Sequence, residues 1–264
     1  RNDLTFCGTA TISSFQLRLS HSGSCRGFGS SVAVGPRRRC VNVCDLRMSL
    51  MDDSLKLTYF VSPGRAEAIR VALFIAGVAF EDEQIGSREE WATRKAAMPF
   101  GQVPVLTYQG KVLAQTQAIL RFVGKHTGLY PSEPWSAAKV DEVMAIFAEI
   151  EGILGGARLG SGPEEKVALL KLIAEEHLPP KFEMIEGILE RNESGYLVGP
   201  SLTIADLFFV LNFMKTLSSG IYKGIPVNIL DKYPNIQALQ SRVHAHDKIR
   251  QWMASHPEWY PATS

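Results

Sequence analysis

All four cysteines, Cys7, Cys25, Cys40 and Cys44, fall within the first fifty positions. The body of the chain therefore has no thiol nucleophile, disulfide framework or cysteine metal site. Cys40 and Cys44 lack a ligand-rich partner segment, and spacing alone makes no metal site. His244, His246 and Asp247 crowd together, but consecutive residues on a helix point in different directions and do not enclose an ion. The stretch Gly155 to Gly162 is glycine-rich. It follows a helical pattern and lacks the Gly-Lys-Ser/Thr ending of a phosphate cradle, so it reads as a loop. What remains is Tyr59, an aromatic hydroxyl at the end of an alternating run, with Pro63-Gly64 and then Arg65 just beyond.

The elements around Tyr59 follow from periodicity. Leu55, Leu57 and Tyr59 alternate with Lys56 and Thr58, the pattern of a half-buried strand, and Pro63-Gly64 breaks it. From Arg65 the period becomes helical through Ala66, Ile69, Ala72, Leu73 and Ala76, with Gly77 as the stop. Phe80 to Ile85 reads as a second strand, parallel to the first because a helix joins them. Ser87 to Glu90 is a capping box that opens a short helix running through Ala97. Val103 to Tyr108 and Lys111 to Leu113 flank Gln109-Gly110, which predicts a hairpin with a two-residue turn. Thr116, Ile119, Leu120 and Val123 mark a helix ended by Thr127-Gly128, so the half reads βαβαββα, the order of a thioredoxin-like domain.

Beyond a Pro-bearing linker at 128–135 the strand signals stop. Helices are expected over 136–154, over 163–191 with a kink or break at Pro179-Pro180, over 203–217, and from Pro234 to about Met253. The fold class is therefore α/β plus all-α.

The chain has 264 residues, 45 % hydrophobic and 21 % charged, with net charge +1. Residues 1–50 hold seven Arg, no Lys and two Asp, which leaves 21 basic against 25 acidic residues in the body. A mildly acidic body argues against nucleic-acid binding, which needs a basic stripe. No apolar stretch approaches the roughly 18 residues of a membrane-spanning helix. Residues 1–50 are rich in Ser, Gly and Arg, with the run Arg37 to Arg39. They are expected to be a disordered leader of transit-peptide type or a non-native extension, with synthesis then starting at Met48 or Met51. A cytoplasmic location is expected, or a plastid or other organelle if the leader is a transit peptide.

Four segments in order then carry a resemblance: Lys56 to Phe60, Gly64-Arg65-Ala66-Glu67, Pro99 to Leu106, and Gln115 to Ile119. With Tyr196 to Gly199 and Ser201 to Asp206, they resemble glutathione S-transferases, in particular the sigma class that includes glutathione-dependent prostaglandin D synthases. The likeness covers about residues 54 to 255. It implies a glutathione-binding thioredoxin-like domain at 51–129, a helical domain at 136–264, a homodimer, glutathione as co-substrate without a metal, and conjugation to small hydrophobic electrophiles. Two other functions stay open: a prostaglandin-type isomerase, and a non-catalytic structural or ligand-binding relative such as an S-crystallin. Retention of Tyr59, Arg65, Trp91, Lys95 and Gln115 argues against the latter.

The resemblance also assigns roles. A free thiol near pKa 8.5 is about 3 % thiolate at pH 7, and lowering it by about two units multiplies the nucleophile roughly 20- to 30-fold. Tyr59 would donate the hydrogen bond that does most of this, worth about 1.5–3 kcal/mol, with Arg65 adding electrostatic support. Val103-Pro104 corresponds to the family's cis-proline step, where the Val103 backbone pairs with the cysteinyl unit. Gln115 and Thr116 open a helix whose free N–H groups would hold the γ-glutamyl carboxylate, Thr116 replacing the commoner Ser. Trp91, Lys95 and Gln102 would bind the glycyl end. Glu149 aligns with an acid that serves the second subunit's site, where Asp is usual. The loop Val61-Ser62-Pro63 departs from the usual Asn-containing version and borders the electrophile site. Thr203 to Asp206 forms a capping box with Leu202 and Leu207 as a hydrophobic staple.

Overall fold

The strand β1, Leu55–Phe60, lies inside a four-stranded sheet of order β2-β1-β3-β4, with β2 at Glu81–Ile85, β3 at Val105–Tyr108 and β4 at Lys111–Ala114. The computed structural model describes residues 54–157 and 160–260; the expected leader at 1–50 lies outside them. β1 runs parallel to β2 and antiparallel to β3, which pairs antiparallel with β4. This is the predicted βαβαββα order. Gln109 and Gly110 take φ of 51° and 71°, the left-handed pair of a type I′ turn that matches strand twist.

Helix α1, Glu67–Ala76, follows a 3-10 turn at Gly64–Ala66 and ends at Gly77 in the left-handed conformation. Every residue from Glu67 to Leu73 is buried. Periodicity predicts one apolar face, but α1 is enclosed on all sides because it packs against both halves of the molecule. Its neighbours are helix α3, Thr116–Thr127, in its own half, and residues 204–214 and the C-terminal helix in the other. Helix α2, Arg88–Arg94, begins at Ser87, whose hydroxyl accepts the Glu90 N–H at 3.1 Å, and a 3-10 turn carries it through Ala97.

The second half is helical. Helix α4, Pro134–Gly156, starts two residues earlier than periodicity predicts because Glu133 caps it, accepting the N–H groups of Trp135 and Ser136. It also ends later, so Gly155 and Gly156 belong to its last turn instead of the expected loop. Helices α5, Pro163–Leu172, and α6, Leu178–Arg191, are joined by a π-helical turn at Ile173–His177. The kink or break expected at Pro179-Pro180 is thus a widening one turn upstream. Prolines donate no N–H and crowd the preceding turn, and the wide turn, closed by Leu178 N–H on the Ile173 carbonyl, accommodates them.

Helix α7, Ile204–Leu207, passes through another π turn, Phe208–Met214, into α8, Lys215–Ser218. The predicted capping box is present: the Thr203 hydroxyl caps α7, and the Asp206 carboxylate accepts the Thr203 N–H at 2.8 Å. Asp206 also accepts the Leu197 N–H at 2.7 Å. Burial pushes its pKa up to about 6 against these bonds. Leu202 and Leu207 are both buried. The tail is two helices where one was expected, α9 at Pro234–Ala245 and α10 at Asp247–Ser255, because His246 takes extended ψ of 126° between them. His244, His246 and Asp247 therefore straddle a bend, and no three His, Cys, Asp or Glu side chains converge among the described residues. Phe147 of α4 stacks on Phe209 at 5.1 Å between ring centres, joining α4 to the π turn in the core. Each fully buried apolar side chain of this kind contributes about 1.5–3 kcal/mol.

Candidate functional site

The end of β1 opens into a cleft of about 710 Å³ between the two halves. Tyr59, Gly64, Arg65, Gln102 and Val103 come to it from the thioredoxin-like half, and Glu151, Leu154, Asn212 and Lys215 from the helical half.

Tyr59 is held from several directions. Its register on β1 sets it opposite Gln84 of β2, its ring is nearly buried, and its hydroxyl oxygen accepts the backbone N–H of Arg65 at 3.0 Å. That bond leaves the phenolic proton free to be donated into the cleft. Gly64 passes so close that a Cβ there would stand 2.6 Å from the Tyr59 hydroxyl, and its φ is +41°. No larger residue fits that turn without moving the tyrosine.

The loop after Tyr59 is clamped from below by Arg70, which is fully buried on α1. Its guanidinium pairs with Asp82 at 3.0 Å and donates to the carbonyls of Ser62 at 2.8 Å and Pro63 at 3.3 Å. It also lies 5.7 Å from the Tyr59 ring centre. The turn that follows is fastened by Asn212 of the π turn. The Asn212 amide donates to the Arg65 carbonyl at 3.0 Å and its oxygen accepts the Ala68 N–H at 2.9 Å. Neither Arg70 nor Asn212 was picked out by sequence reasoning. The available signal was an isolated polar group inside an apolar run, which must find partners once buried.

The Arg65 side chain reaches toward α4, its Nε 3.6 Å from a Glu151 carboxylate oxygen. Burial raises the Glu151 pKa and Arg65 opposes the rise. Glu151, like Arg70 and Asn212, is a functional candidate the sequence did not single out. Lys215 lines the cleft, but its Nζ is buried over the Tyr260 ring. Burial brings its pKa down to about 8, opposed by Glu67.

Val103-Pro104 is a cis peptide, and Val103 and Gln102 line the cleft. Gln115 precedes α3 at φ 73°, a strained position for a residue with a side chain, and its side-chain amide N–H reaches the side-chain oxygen Oε1 of Gln102 at 3.5 Å. Thr116 is the first residue of α3. Gln102 thus connects the cleft to the turn before α3, while Gln115 and Thr116 lie outside the cleft lining. Trp91 packs edge-on against Phe60 at 5.4 Å and faces a separate hollow of about 440 Å³. Lys95 is exposed, its side chain lying beside Gly101. Glu149 is exposed as well and pairs with Lys181 of α6 at 2.5 Å, off this chain's own cleft.

Comparison with known proteins agrees with this layout. Residues 55–125 match the glutathione S-transferase N-terminal domain and residues 159–256 the C-terminal domain. Glutathione S-transferase 1 of Ascaris suum is 34% identical over 210 residues, covering 77% of this chain and 97% of that protein. Glutathione S-transferase 3 of Caenorhabditis elegans is 30% identical over 207 residues, with the same shares. Among solved structures, prostaglandin synthase D of Nilaparvata lugens aligns with TM-score 0.69 at 33% identity, covering 77% of this chain and 98% of that one. A monomeric glutathione S-transferase of the hookworm Necator americanus aligns with TM-score 0.64 at 34% identity, covering 77% and 98%. With a thioredoxin-like half, a helical half and a tyrosine at their junction, the chain belongs to the glutathione S-transferase family.

Proposed function

We propose that the chain, as a sigma-like enzyme, transfers the glutathione thiolate to small hydrophobic electrophiles. The observation that carries this reading is the Tyr59 hydroxyl, engaged as acceptor by Arg65 N–H at 3.0 Å and so left with its proton for the incoming sulfur. Glutathione would lie along the edge from Val103 and Gln102 to Gln115 and Thr116. Its γ-glutamyl carboxylate would sit at the N-terminus of α3, where unsatisfied N–H groups favour an anion. Its glycyl end would point toward Lys95, with Trp91, which faces the separate hollow, supporting Phe60 from behind. The cleft beyond Tyr59, walled by Leu154, Leu211, Phe213 and Leu217, would take the electrophile.

Tyr59→Phe tests the reading. The ring and its packing stay, so glutathione affinity should change little. Turnover at neutral pH should fall about 10- to 100-fold and the thiol of bound glutathione should titrate about one to two pH units higher. Undiminished turnover with an unshifted thiolate absorbance would refute it.

The reading includes a homodimer in which Glu149 of each subunit pairs with the γ-glutamyl amine at the other's site. Lys181 would then have to release Glu149. Native mass measurement and a mixed dimer carrying Glu149→Ala on one subunit test this: affinity should drop only at the site facing the altered subunit. A second reading, thiolate attack on an endoperoxide followed by isomerisation, is favoured by the likeness to the Nilaparvata lugens prostaglandin synthase. Assaying an endoperoxide beside an aryl halide separates the two.

A further inference from the structure

Glu151 is the one carboxylate among the described residues lining the cleft. Its side chain keeps 32% of its exposure and projects from α4 beside the apolar walls of Leu154 and Leu211. A carboxyl in such surroundings is costly unless it is paired or holds a proton. Its partner is the Arg65 guanidinium at 3.6 Å, a loose pair that an incoming polar atom can enter. Arg65 thereby anchors three groups. Its N–H holds the Tyr59 hydroxyl, its carbonyl is fixed by Asn212, and its side chain aims at Glu151. A sulfur at Tyr59 and an oxygen at the Arg65–Glu151 pair would belong to the two reacting ends of one bound complex.

Resting on the conjugating reading above, we infer that Glu151 is the proton donor for electrophiles whose addition leaves negative charge on oxygen, namely α,β-unsaturated carbonyl compounds. The thiolate sulfur forms a bond to the β-carbon, the C=C pair shifts toward the carbonyl, and the C=O π pair moves onto oxygen to give an enolate. Arg65 holds that charge. Glu151 transfers its proton to the enolate, and the resulting carboxylate recovers a proton from solvent, balancing the one lost when the thiol ionised. No atom leaves. Aryl halides follow a different course: the sulfur replaces halide, which departs as an anion, and no proton is taken up. The burial that raises the Glu151 pKa favours the protonated form this step uses. Positioned general acids contribute about 10²–10⁴-fold in rate.

The test uses the full chain, with glutathione and two electrophiles, trans-2-nonenal and 1-chloro-2,4-dinitrobenzene, for the parent, Glu151→Gln and Glu151→Asp. The expected result is at least a ten-fold fall in the ratio of enal to aryl-halide kcat in Glu151→Gln, with partial recovery of that ratio in Glu151→Asp. In the parent, the ratio of enal to aryl-halide rates should fall as pH rises, and in Glu151→Gln it should be flat. Tyr59, Arg65, Lys215 and Tyr222 also face the cleft, and the ratio cancels any effect they exert on the thiolate common to both reactions. Equal loss on both substrates, no loss on either, or a parent active on the aryl halide alone overturns the inference while the conjugating reading stands. A parent inactive on both overturns the two together.

Discussion

Asn212 and Arg65 lie 147 residues apart in sequence and are joined by a 3.0 Å hydrogen bond from the asparagine amide to the arginine carbonyl. With the reciprocal bond from Ala68 N–H, the helical half holds the turn that presents Tyr59.

Asn212→Ala removes both bonds and leaves the buried Ala68 N–H and the partly buried Arg65 carbonyl without their partner. A loss of about 1–3 kcal/mol is expected, read as a lower urea midpoint. Turnover should fall as well, because the Arg65 N–H that holds the Tyr59 hydroxyl sits in the loosened turn. Unchanged stability would show that the two bonds are replaced by water.

Gly64→Ala puts a Cβ 2.6 Å from the Tyr59 hydroxyl at a φ of +41°. Turnover should drop at least ten-fold, with about 1 kcal/mol or more of strain. In a Tyr59→Phe background the 2.6 Å oxygen contact is gone, while ring carbons at 3.0 and 3.2 Å and the positive φ remain, so the same substitution should cost less stability but still some. Additive effects in this double-mutant cycle would refute the clash.

Glu83 of β2 gathers Lys56 at 3.1 Å, Thr58 at 2.6 Å and Arg94 at 2.6 Å. Burial alone would raise its pKa, but these hydrogen bonds bring it from 4.5 to about 2. A folded-state pKa below the unfolded one means stability that is complete above about pH 4.5 and lost as pH falls toward about 2. Glu83→Gln should therefore be less stable than the parent by about 1–2 kcal/mol at pH 7, and the gap should close on acidification. A gap of constant size from pH 7 to pH 2.5 would contradict the assignment.

Thr203→Ala removes the hydroxyl that caps α7 and also donates to Asp206 at 2.8 Å. About 1 kcal/mol should be lost, with glutathione affinity unchanged because α7 contributes no residue to the glutathione edge. A preserved melting temperature would rule out the cap.

Much of the first half was legible because its signals are local. Alternation marks β1, the turn dipeptide Gln109-Gly110 sets the hairpin, and Gly77 ends α1. The position of Tyr59 followed from these, whereas its role came from family resemblance. What escaped depends on contacts distant in sequence or on which face of a helix is covered. Glu149 and Glu151 are two residues apart on α4, and at 3.6 residues per turn they point about 200° apart. Alignment selected one, and only packing revealed that the other faces this chain's cleft. Arg70 and Asn212 read as interruptions in apolar runs until their partners on the loop and turn were visible. The π turns and the bend at His246 were hidden for a related reason: residues 173–177 and 208–214 retain helical composition, and the register change arises from how the helices seat on their neighbours.

The clamp of Asn212 on the Arg65 turn also has a consequence in time. During synthesis the thioredoxin-like half emerges first, and at about 5–20 residues per second the 147 residues between the two partners take about 7–30 s to add. Through that interval the nascent first half has its tyrosine but not the amide that fixes the turn beside it. On the proposed reading, the turn beside Tyr59 is thus fastened late in synthesis, once the helical half arrives and docks on it.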